Sequence, residues 1–128
     1  ELFYLLGDGE NLGGTAKKAV DLAPDHYLGH YYYGKWLLEY EDRLRESAVH
    51  LGKSVKLNPR FVEGWRDWGQ LLARWEEWAE AAQAYERAVA IDTHGGRLFY
   101  LLSVAYRRLG QDRKADDALA RYRKLSEE

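Results

Sequence analysis

The chain has 128 residues, 46% apolar and 31% charged, with a formal net charge of −2. That length suits one ordinary domain or a few small repeats, and the composition excludes a disordered chain. The chain has no cysteine, which removes disulfides and thiolate chemistry, while the charge balance and the lack of an apolar run near ~18 residues argue against nucleic-acid binding and membrane insertion.

The chain begins at Glu1 rather than a methionine, and Leu2-Phe3-Tyr4-Leu5-Leu6 is too short for a signal peptide. The start reads as the cut edge of a longer natural protein or of an engineered chain, and this unprotected apolar edge is expected to favour self-association. Gly13-Gly14 follows where a helix should begin, so residues 1–26 are expected to form a truncated, irregular unit.

Beyond this edge the chain repeats itself. Its two prolines, Pro24 and Pro59, stand 35 residues apart. Sliding the last third back by 34 residues lays Phe99, Ser103, Tyr106, Ala115 and Leu119 on Trp65, Gly69, Leu72, Ala81 and Tyr85. A further shift lays those residues on Gly34, Leu37, Ser47 and Leu51, with one extra residue in the Glu41–Arg45 turn. Three units follow the irregular one, at 27–61, 62–95 and 96–128, within one array spanning 1–128.

Each unit reads as two helices. In the unit starting at 62, Trp65, Trp68, Leu72 and Trp75 form one helical stripe; Ala81, Ala82, Tyr85, Ala88 and Val89 form the next. These spacings predict that the tryptophans are core. Gly34, Gly69 and Ser103 recur on the first helices and Ser47, Ala81 and Ala115 on the second, where small side chains let two backbones approach. Asn58-Pro59 and Asp92-Thr93-His94-Gly95-Gly96 carry helix-stop chemistry. The last helix is expected over Asp112 to Ser126, with its own charged outer face.

This pattern resembles the tetratricopeptide repeat family, carried by Trp65, Trp68-Gly69, Leu72, Ala81, Tyr85 and Ala88 and by Phe99, Leu102-Ser103, Tyr106, Gly110, Ala115 and Leu119. Thr93 stands where the family closes with proline, Glu76 where it turns on glycine, and Tyr122 where it has a small residue. The resemblance implies an all-α fold: an α-solenoid of stacked antiparallel helix pairs in a right-handed superhelix, whose first helices line a concave groove.

The groove-facing positions implied in this way include Tyr31 and Lys35; Arg66, Gln70 and Arg74; and Arg97, Tyr100, Arg107 and Arg108. Arginine forks there suit carboxylates, so the expected partner is an acidic extended peptide or helix. A structural or self-assembling scaffold, natural or engineered, is the alternative. The Lys/Asn clamp of the family's chaperone-tail receptors does not match, since Tyr31 and Asp67 stand at its lysine and asparagine positions.

No set of converging catalytic groups is evident, so the chain is read as non-catalytic, without cofactor or metal. His26 and His30 share a helix face but find no third ligand, and read as helix-entry capping and packing. His50 and His94 read as surface residues. Glycines 7, 9, 13 and 14 follow no strand, which leaves no phosphate loop.

Overall fold

A computed structural model describes residues 12–127. Among these there are seven α-helices and no strand. The chain divides into two compact units after Pro59.

The N-terminal unit holds α1 (Leu12–Leu22), α2 (Tyr27–Leu37) and α3 (Leu44–Leu57). Helix α2 packs on both α1 and α3. Pro24 lies in the α1–α2 turn, and His26 caps α2: its Nδ1 accepts the Leu28 amide at 3.3 Å. Ala16, Tyr33 and Leu37 form the buried core, with Val20, Tyr32 and Trp36 against it. Between α2 and α3 the extra residue is absorbed in a longer link, whose last part is a 3₁₀ turn, Glu41–Arg43.

Helix α2 crosses α3 where both carry small residues. A methyl group at Gly34 would lie 2.9 Å from Leu51 Cγ, and the hydroxyl of Ser47 donates to the Gly34 carbonyl at 2.6 Å. Close approach then buries Leu37 and Leu51 completely, a gain of roughly 1.5–3 kcal/mol for each side chain.

The C-terminal unit holds α4 (Val62–Arg74), α5 (Trp78–Ile91), α6 (Gly96–Arg108) and α7 (Asp112–Ser126). Helices α4 and α5 form one antiparallel pair, α6 and α7 another, and α5 joins them by packing on α6. The core runs through both pairs: Leu72, Ala81, Ala82 and Tyr85, then Leu102, Ala105, Tyr106, Ala115 and Ala118. Gly69 repeats the role of Gly34, because a methyl group there would lie 2.6 Å from Tyr85 Cε1.

The tryptophans of this unit, expected as core, divide. Trp65, Trp68 and Trp78 are half-buried, with Trp68 and Trp78 against the core, while Trp75 is 36% exposed. Trp75 is the C-cap of α4, where the chain turns away and the core stripe loses its cover.

Candidate functional site

In the C-terminal unit the polar residues of α4 and the first turn of α6 converge. Helix α4 starts after Phe61 with Glu63 in its first turn, and α6 starts after Gly95. The stop sequence between α5 and α6 is held by Asp92, which accepts the His94 amide at 3.1 Å, and the resulting turn aims Arg97 back toward α4. Arg66 and Arg97 line one open cleft of about 600 Å³, with Val62, Ile91 and Leu98 as apolar surface and Glu63 and Asp92 also on its wall. Two guanidinium groups over an apolar floor can hold a carboxylate-bearing side chain and pack its stem.

Along the same helix, Tyr100, Ser103, Val104, Arg107 and Arg108 form a second, smaller cleft of about 230 Å³ with Leu119 of α7. Tyr100 is 47% exposed, and its ring sits 5.4 Å from that of Tyr122. Tyr122 therefore fills, from α7, the space beside Tyr100. Arg107 is committed within the unit: it donates to Asp116 at 2.8 Å and lies 3.7 Å from Asp112. Those carboxylates hold its guanidinium pKa above the usual arginine value. Arg108 lies 5.4 Å over the Trp78 ring, a cation–π contact.

The remaining expected groove residues divide. Gln70 is half-buried on α4, and Arg74 is exposed in its last turn. Arg66 also donates to Asp67 at 3.2 Å, and Asp67 is itself buried. In the N-terminal unit, Lys35 holds its Nζ 5.4 Å over the Tyr31 ring. Tyr31, expected as an open aromatic contact, is only 5% exposed and meets Tyr32 edge-on. The position carries a ring that is folded into the unit, leaving the Lys35 ammonium as the accessible group.

Three of the histidines stand as expected, His26 as a helix cap, His30 packed in the interior and His94 exposed, and His50 departs. His30 pairs with His50 of α3, at 3.0 Å between their Nδ1 atoms, and not with His26. His50 is half-buried rather than a surface residue, whereas His94 is exposed. No periodic signal links these two rings, because each lies on a different helix and neither recurs in the later units. Among the described residues no group of three or more histidine and carboxylate side chains is placed to hold a metal ion. No described helix is long and apolar enough to cross a membrane. The expected association edge, Leu2 to Leu6, lies outside the described residues.

These helix pairs, closing on a small residue and repeating after 34 positions, define an α-helical repeat protein. The repeat is the tetratricopeptide repeat. The chain is 31% identical over 104 residues to tetratricopeptide repeat-containing protein trd-1 of Caenorhabditis elegans, a match covering 77% of this chain and 13% of that protein. It is 26% identical over 90 residues to the mouse (Mus musculus) protein O-mannosyl-transferase TMTC3, covering 70% of this chain and 10% of that protein. The chain thus spans about a tenth of the length of the curated relatives it matches. No family model matches it. Among solved structures, a crystal structure of MamA superposes with a TM-score of 0.84 at 18% identity, covering 98% of this chain and 72% of that one. MamA from Desulfovibrio magneticus RS-1 gives 0.80 at 22% identity, covering 91% and 65%. At these identities the likeness is one of fold.

Proposed function

We propose that the chain is a non-catalytic protein-interaction module that takes an acidic extended peptide or partner helix on the first-helix faces of its repeats. The observation that carries this reading is the cleft shared by Arg66 and Arg97, where two cations from different helices stand over Val62, Ile91 and Leu98. A peptide carboxylate seated between them would exchange water for charge-assisted hydrogen bonds, and apolar neighbours in the peptide would cover the floor. Arg74 and Gln70 extend the polar surface along α4, and Tyr100 with Arg108 extends it along α6. Arg107 contributes least, since its guanidinium is already shared by Asp112 and Asp116. Lys35 supplies the corresponding cation on α2.

Helical-repeat relatives support a binding role through their open stacked surfaces. The transferase in the name of one relative belongs to a protein about ten times longer than the matched stretch.

The test is an array of acidic, neutral and basic peptides probed with the full chain and with the double variant Arg66→Glu, Arg97→Glu. Selective capture of acidic peptides by the wild type, lost in the variant with helical content unchanged, is the expected result. Equal capture by both proteins would overturn the reading and favour a structural scaffold without a peptide ligand.

A further inference from the structure

The ring nitrogens of His30 and His50 are held against one another, and their hydrogen bonds leave little freedom in where protons sit. His30 is 2% exposed. Its Nε2 lies 2.7 Å from the Pro24 carbonyl oxygen. A carbonyl only accepts, so Nε2 carries hydrogen. In a neutral ring the Nδ1 of His30 is then a lone pair, and the atom facing it is His50 Nδ1 at 3.0 Å. That nitrogen must donate. Two neutral imidazoles thus lock each other into opposite tautomers, edge to edge with their centroids 5.2 Å apart and their planes 21° from parallel.

We propose that this pair is an acid-sensitive latch joining α2 to α3, which accepts one proton and is forced apart by the second. The first proton goes to His50 Nε2, and its Nδ1–H still donates to His30. A second proton has only His30 Nδ1 to bind, which sets N–H against N–H and two cationic rings edge to edge. The latch holds three points of the N-terminal unit together: the α1–α2 turn through the Pro24 carbonyl, α2 through His30, and α3 through His50.

The charged and titratable surroundings fit this behaviour. Burial and His30 disfavour a cation on His50, Glu46 of α3 favours one and Lys53 of α3 disfavours it, so the His50 pKa lies below the ordinary histidine value. From α2, the Tyr33 ring meets His50 edge-on at 4.7 Å, and its hydroxyl donates to Glu46 at 3.0 Å. Asp21 of α1 and Arg43 of the 3₁₀ turn act on Tyr33, with opposite signs. Glu46 is therefore partly engaged by Tyr33 and does not fully compensate a charged pair.

The sign follows from proton counts. The unfolded chain protonates the His50 ring below about pH 6.5, where the folded ring, its pKa lowered, still resists the proton, so stability is present above that pH and lost as pH falls below it. Both rings of the pair lie in the N-terminal unit, so its response to acid acts on that unit and on the Lys35 surface it carries.

The experiment uses the full chain and His50→Asn, whose amide can donate from nearly the same place without titrating. Long-range ¹H–¹⁵N spectra of the wild type at about pH 8 are expected to give the Nε2–H tautomer for His30 and Nδ1–H for His50. Urea unfolding followed at α2 and α3 amides is expected to show the wild-type folding constant falling about tenfold further than that of H50N between about pH 7.5 and pH 5.5. Identical pH dependence in the two proteins would overturn the latch. Should H50N fail to fold, the wild-type spectra still decide: His50 carrying its hydrogen on Nε2 at pH 8 overturns it too.

Discussion

Glu76 and Gly110 occupy the same place in successive repeats, 34 residues apart, and both adopt left-handed backbone, with φ of 60° and 76°. Each ends a first helix in the same way: Glu77 donates its amide to the Leu72 carbonyl, and Gln111 to that of Tyr106, both at 2.9 Å. Glycine enters this conformation without penalty, whereas glutamate meets its own Cβ. Replacing Glu76 with glycine should therefore stabilise the C-terminal unit by about 0.5–1 kcal/mol. Urea denaturation measures this directly; an unchanged or lower midpoint would show that the Glu76 side chain offsets the strain.

A second prediction concerns Ser54. Its hydroxyl is fully buried and has no hydrogen-bond partner among the described residues, while the equivalent residue in the next repeat is Ala88, also fully buried. Ser54→Ala removes an unsatisfied polar group at nearly constant volume and should stabilise by about 1 kcal/mol. Ser47, whose hydroxyl is bonded to the Gly34 carbonyl, serves as the control, and alanine there should give no such gain. Thermal denaturation of the two single variants separates the cases.

Gly69→Ala should act in the opposite direction. The added methyl would press on Tyr85 Cε1 at 2.6 Å and Cδ1 at 2.8 Å, and the tyrosine is only 2% exposed. Overpacking of this kind costs about 1–3 kcal/mol. A midpoint within error of the wild type would mean that α4 and α5 can separate without loss.

Alkaline pH provides a fourth test. Burial, aided by Asp67, pushes the Tyr85 pKa up to about 12. Burial and the hydrogen bond to Glu86 raise that of Tyr106 as well. The folded state keeps these protons where the unfolded state has lost them. Their contribution is thus fully present below about pH 10 and disappears as pH rises toward the folded values. Tyrosinate absorbance should report both residues ionising together with unfolding rather than before it. Ionisation of all ten tyrosines near pH 10 in a chain that stays folded would contradict this.

Much of the fold was legible in the residue spacing, and the reason is physical. A small residue lets a neighbouring helix come close, so Gly34, bonded to Ser47, and Gly69, against the Tyr85 ring, mark real crossings. Periodicity also located the last helix at Asp112–Ser126. It said less about cover. Trp75 keeps the stripe's spacing, yet it lies at the helix end and stays 36% exposed. Tyr31 shows the converse, a position off the core stripe whose bulky ring folds inward beneath Lys35. His50 was invisible because its partner is 20 residues away on another helix, and a pair that occurs once leaves no period.

The two glycine contacts also bear on how such arrays can be rearranged. Gly34 receives Leu51, whereas the matching Gly69 receives Tyr85: one crossing is shaped to an aliphatic branch, the other to a flat ring. A second helix moved alone from one repeat to another would bring the wrong shape to the crossing. A helix pair moved whole would carry its own lock and key. Recombination, in nature or by design, should therefore tolerate breakpoints in the turns between pairs, such as Asn58–Arg60 and Thr93–Gly95, far better than in the turns within them.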